Sequence, residues 1–84
     1  MFDVILEEAI YDGWQMATVR RILNLNFVPF AGLYIASIGK VIHVSYNPAT
    51  EVFICTIESV QDRDIDCIVD YHLERGWLCY KRVT

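Results

Sequence analysis

The side chains best suited to chemistry in this chain are two histidines, His43 and His72, and three cysteines, Cys55, Cys67 and Cys79. A histidine acting as general base needs a Ser or Cys nucleophile and an orienting acid within hydrogen-bond reach. Neither His43, which sits between Ile42 and Val44, nor His72 has such a set suggested by spacing. Structural zinc sites carry local ligand pairs such as C-x2–4-C or H-x3–5-H. Cys67 and His72 are five apart and the other candidates lie elsewhere, so no metal is expected. There is no glycine-rich phosphate loop and no carboxylate pair placed for acid–base work. The chain therefore reads as a protein without catalytic activity and without a cofactor. Three cysteines without a CxxC pair argue against a disulfide framework and for a reducing, cytoplasmic setting.

Charge is the next chemical resource. The net charge is −4 and the isoelectric point is near 4.9, which disfavours a surface for nucleic-acid phosphates. Acids cluster at Asp3, Glu7, Glu8 and Asp12 and again at Asp62, Asp64, Asp66, Asp70 and Glu74. Four of these, Glu7, Glu8, Asp66 and Asp70, are the candidates for an acidic surface that docks a basic groove on another protein. The basic pairs Arg20-Arg21 and Lys81-Arg82 follow the acidic segments. An alternative site takes a small anionic ligand, in a subunit-interface pocket lined by Arg20, Tyr34, His43, Tyr46, Tyr80 and Arg82.

These residues have to be positioned by a chain with an internal duplication. Asp3 to Trp14 (DVILEEAIYDGW) recurs as Asp66 to Trp77 (DCIVDYHLERGW), with Asp, Ile, Gly and Trp in register. In the first copy Phe2, Ile5, Leu6, Ala9 and Ile10 fall at helical spacing; in the second Ile65, Ile68, Val69, His72 and Leu73 do. Gln61-Asp62-Arg63-Asp64 supplies N-cap candidates for the second. Gly13 and Gly76 then read as left-handed helix stops, with Trp14 and Trp77 packing back on the last turn. Trp14–Ile22 and Trp77–Val83 read as strands.

Between the copies, Leu33–Ile38 and Val41–Tyr46 flank Gly39-Lys40, a glycine-first pair suited to a type II′ turn. Asn47-Pro48-Ala49-Thr50 is the next turn, and Val52–Glu58 a third strand. The expected fold is α+β: two helix–strand units flanking a three-stranded antiparallel β-meander, with both helices on one face of a roughly five-stranded sheet.

One domain, residues 1–84, is expected from the length. Hydrophobic residues make up 55% of it, more than a small monomer easily hides. The meander strands are apolar on both alternations, which predicts a homo-oligomer, most simply a dimer, built on the second sheet face. No apolar run approaches a membrane span, and Asp3, Glu7 and Glu8 occupy the place where a signal peptide would be apolar. The resulting expectation is a small cytoplasmic protein-binding module, such as the inhibitors or regulators that phages and mobile elements encode.

Overall fold

The computed structural model describes residues 1–61 and 64–83; the cap candidates Asp62 and Arg63 lie outside the described residues. The chain forms β1 (Phe2–Tyr11), β2 (Met16–Leu25), β3 (Tyr34–Ile35), β4 (Gly39–Asn47), β5 (Val52–Gln61), α1 (Ile65–Glu74) and β6 (Leu78–Val83). All six strands join one sheet in the order β3-β4-β5-β1-β2-β6. Neighbours are antiparallel except β1 and β5, which run parallel. It follows that β5 and β6 point the same way, and α1 is the crossover that carries the chain over β1 and β2.

This overturns the two-helix expectation: the fold is a six-stranded mixed sheet with one short helix, not two helix–strand units. The first copy of the duplicated unit is the central strand. Val4, Leu6, Glu8 and Ile10 are buried and the residues between them half-buried, the period of two of a strand. The second copy is helical as expected, with Ile65, Val69 and His72 buried at helical spacing.

The copies differ where a helix must start. Asp64 caps α1, its side chain accepting from the Cys67 amide at 3.1 Å. The position equivalent to Asp64 in the first copy is Met1, which has no side-chain acceptor of that kind. Helix nucleation is unfavourable without such help. The β-prone Val4, Ile5, Ile10 and Tyr11 instead pair along the whole of β2 and along β5.

Gly13 and Gly76 both take left-handed φ, 97° and 87°, but they serve different turns. Gly13 lies in the β1–β2 hairpin loop, where Asp12 accepts from the Trp14 and Gln15 amides at 3.0 and 2.8 Å. Those two bonds hold the Asp12 carboxyl below its usual range. Trp14 consequently projects into solvent at 90% exposure, whereas Trp77 is buried at 5% against α1. The hairpin between β3 and β4 also turns earlier than expected. Tyr34 pairs with Lys40 and Ile35 with Gly39, leaving Ala36-Ser37-Ile38 as the loop, with Ser37 at φ 68°. The next turn falls at residues 48–51, one residue later than expected, with Asn47 at the end of β4 accepting from the Ala49 amide at 3.0 Å.

The core lies on one side of the sheet. Val4, Leu6 and Ile10 of β1, Ala17 and Val19 of β2, Val41, Cys55 and Ile57 meet Ile65, Val69 and Trp77 there. The opposite face carries Ile5, Glu7, Arg20, Ile22, Ile54, Leu78 and Tyr80 and has no second layer over it among the described residues. Among those residues, no helix is long and apolar enough to cross a membrane.

The unequal fates of the two Gly-Trp pairs give a direct check. Trp77→Ala should destabilise the fold by about 3 kcal/mol or more, because a large buried ring leaves a cavity. Trp14→Ala should stay within ~0.5 kcal/mol of the wild type. Urea denaturation of the two variants measures both; equal losses would contradict the assignment.

Candidate functional site

One carboxylate interrupts the buried row of β1. Glu8 follows Val4 and Leu6 on the core face, between Val19 of β2 and Ile57 of β5, and is 4% exposed. A carboxyl group there requires a partner, because an unpaired buried charge costs several kcal/mol. The partner comes from α1: His72 Nε2 lies 2.9 Å from Glu8 Oε2. The other ring nitrogen, Nδ1, lies 2.8 Å from the Ile68 carbonyl oxygen one turn back. That oxygen can only accept, so Nδ1 donates to it, and a single proton holds Nε2 and the carboxylate together. Trp77 packs edge-on against the imidazole, with ring centroids 5.2 Å apart.

With both nitrogens engaged, His72 has none left to activate a nucleophile. The pair instead fixes the last turns of α1 to the middle of the sheet. The His72 carbonyl also accepts from the Arg75 and Trp77 amides at 3.0 and 3.1 Å, which ends the helix above β2.

Two open grooves meet beside this helix end. One, of about 780 Å³, runs between α1 and the β3–β4 turn; Glu8, His72, Trp77, Tyr71 and Ser37 line it. The other, of about 720 Å³, lies at the step in the sheet where β6 begins; Ile5, Ile22, Leu78 and Tyr80 line it. Arg21 and Arg75 line both. Arg75 stacks its guanidinium 3.5 Å above the Tyr71 ring and donates to the Tyr71 carbonyl at 3.1 Å. Arg21 sits opposite Leu6 on the core face and is half-buried. Among the described residues its guanidinium has no ion pair or hydrogen bond.

The residues singled out in the sequence are dispersed. Glu7 is on the open sheet face, paired with Arg20, while Glu8 is inside. Only Asp66 and Asp70 lie on the exposed side of α1, and Asp66 is paired with Arg82. The four acids therefore do not make one surface. Of the alternative set, Arg20 and Tyr80 do meet, the guanidinium lying 3.5 Å from the ring centroid, and Arg20 Nε is buried without an acceptor. Arg82 is at the far end of β6 with Gln15 and Asp66. Tyr34, His43 and Tyr46 are on β3 and β4, at the opposite edge of the sheet.

Burial pushes the Cys55 thiol up, while Cys67 and Cys79 are exposed and all three are free. Among the described residues, no three His, Cys, Asp or Glu side chains gather where a metal ion could be held. The sequence reading missed Arg75, Trp77 and the Glu8–His72 contact as parts of one site. The signal for the last was a carboxylate in the buried register of an otherwise apolar alternation.

No protein family matches the chain, and neither a curated protein nor a solved structure matches it.

The buried pair makes a stability prediction with a defined sign. Burial pushes the Glu8 carboxyl above its usual 4.5, against the pull of the His72 hydrogen bond and charge. The folded state thus holds this proton more tightly than the unfolded chain does. The stability so contributed is complete below pH 4.5 and is lost as pH rises through the folded value. Glu8→Gln removes that titration, so the stability of wild type relative to this variant should decline as pH rises above 4.5. His72→Leu should cost about 3 kcal/mol or more at neutral pH by stranding Glu8, and the Glu8→Leu/His72→Leu double variant should recover most of it. Urea denaturation across pH checks both; a flat wild-type-minus-Gln difference or additive losses would refute them.

Proposed function

We propose that this chain is a small, non-catalytic module that binds another protein and that its working surface is the groove around Arg21 and Arg75. The observation that supports this reading most is the Arg21 guanidinium, half-buried at the junction of two concave surfaces with no partner among the described residues. An uncompensated cation on a protein of net charge −4 selects for an acidic group brought by something else. The binding partner is taken to be a protein rather than a free small anion because of the groove walls. Ile22, Leu78 and Tyr80 are 72%, 69% and 58% exposed, too open to enclose a ligand of which a pocket usually buries ~70–90%. Occupying a partner's acidic segment would block that partner's own contacts, the inhibitory or regulatory mode expected for so small a chain.

A second reading, self-association, is favoured by the uncovered sheet face. Ile22 and Leu78 stand exposed on it beside Ile5 and Ile54, and a second copy would bury them. Ile22→Ser/Leu78→Ser should then shift a dimer to monomer in sedimentation at micromolar protein, and a wild-type protein of only 9.8 kDa would sink this reading.

The groove reading is tested by crosslinking the protein in its own cells and identifying adducts by mass spectrometry. Arg21→Glu should reduce partner capture about tenfold or more, equivalent to about 1.4 kcal/mol, and capture by wild type should weaken with salt. Asp70→Lys should leave it unchanged. If Asp70→Lys abolishes capture and Arg21→Glu does not, the exposed acidic side of α1 is the working surface and the groove is not.

A further inference from the structure

The sheet has a step beside this groove. β6 pairs with β2 only from Met16 to Arg20, with Leu78 opposite Arg20, yet β2 continues to Leu25. Residues Arg21–Leu25 therefore have β1 on one side and no strand on the other. In an antiparallel ladder alternate residues direct their N–H and C=O groups to opposite sides. Part of this stretch consequently presents unpaired backbone groups outward, and no turn, loop or cap hydrogen bond among the described residues reaches them. Five residues extend roughly 17 Å, long enough to seat a short strand.

The side chains beside this edge define what would fit. Arg21 and Leu23 lie on the helix side and Ile22 on the open side. Arg75 and Leu78 flank the step. A strand laid along the edge would alternate its side chains between those two environments: a helix side cationic at Arg21 and Arg75 and apolar at Leu23, and an open side apolar at Ile22 and polar at Asn24, which donates to Asp3. The remaining edges are less suited to it. β6 carries Lys81 and Arg82 and is bulged where it meets Thr18 and Val19, both features that discourage pairing. The outer side of β4 is taken up around Val41 by Gly32 and Leu33.

We propose that Arg21–Leu25 of β2 is a strand-addition site for an extended acidic segment of a partner protein, placing carboxylates at Arg21 and Arg75 and apolar residues at Ile22. Main-chain hydrogen bonds supply affinity and the alternating side chains supply selectivity. This inference rests on the reading of the Arg21 groove as a protein-docking surface, and adds to it the conformation and side-chain pattern of the bound segment.

The test uses the whole chain, 15N-labelled, with three end-blocked seven-residue peptides. The first alternates glutamate and valine; the second is the same peptide N-methylated at alternate amides; the third alternates lysine and valine. The first should slow amide exchange at alternate positions within Arg21–Leu25. Arg21→Gln should weaken its binding about tenfold, and Arg75→Gln, at an exposed helix end away from the core, should weaken it in the same direction. The N-methylated peptide should lose at least about tenfold, and the lysine peptide should not bind.

Equal binding of the N-methylated peptide, with the arginine dependence kept, would overturn strand addition while leaving charge-guided docking in place. Slowed exchange along β4 or β6 instead would also overturn it. Slowing at Arg21–Leu25 without peptide, rising with protein concentration, would mean that a second copy fills the edge, and the proposal would fail. No binding of the acidic peptide at millimolar concentration, or equal binding of the lysine peptide, would defeat both this inference and the docking reading beneath it.

Discussion

The Glu8–His72 contact is the constraint to which the rest of the molecule is arranged. A carboxyl group at the centre of a sheet's core face cannot be left dry and unpaired. The partner must come from the layer above, and in this chain that layer is one ten-residue helix. Reaching Glu8 sets the position of the last turns of α1, which set Trp77 in the core and start β6 at Leu78, beside β2. An apolar pair of the same volume could serve stability as well or better. What the polar pair adds is a single register, because sliding α1 by one residue would remove His72 from Glu8. We regard this positional role as the physical reason for burying an ionisable pair here.

From that register come the features that make a surface. Because α1 ends above β2, Arg75 lies near Arg21. Because β6 starts late, the far half of β2 is left as an unpaired edge between two grooves. A sheet with a single helix on one side also leaves its other face half-finished. Ile5, Ile22, Ile54, Leu78 and Tyr80 are there, and the Glu7–Arg20 pair, the Arg20–Tyr80 stack and the Asn24–Asp3 hydrogen bond supply polar contacts among them. Compactness on one side and incompleteness on the other have the same cause: 84 residues make one good layer interface and no more.

The duplicated unit shows how much of this was legible beforehand. DVILEEAIYDGW satisfies a helical stripe through Ile5, Leu6 and Ala9 and a strand alternation through Val4, Leu6 and Ile10 about equally well. The helix reading had the advantage of placing Glu8 in solvent. It failed because a strand's worth depends on the neighbours it pairs with, and β1 pairs both with β2 across a short hairpin and with β5 far along the chain. The same dependence explains the candidate site. Arg20 with Tyr80 stands in the alternative set read from the sequence, but Glu8 with His72 and Arg21 with Arg75 come together only once β1 is a strand that puts Glu8 on the core face beneath α1. The acids read as a single surface were split because the first copy became a strand, with Glu7 and Glu8 on opposite faces.

By itself the sequence determined whatever depends on near neighbours. The cap at Asp64 and the apolar spacing of Ile65, Val69 and His72 specify α1. Gly13, Gly76 and Asn47-Pro48 specify turns, and β-branched residues specify strands on either side of Asn47. Tertiary structure alone decided that β1 is a strand, that β5 lies parallel to it, that β6 stops short along β2, and that a buried acid meets a helical histidine. These are choices among locally similar alternatives, and the free energy that separates them comes from ladders and burial formed only when distant segments meet.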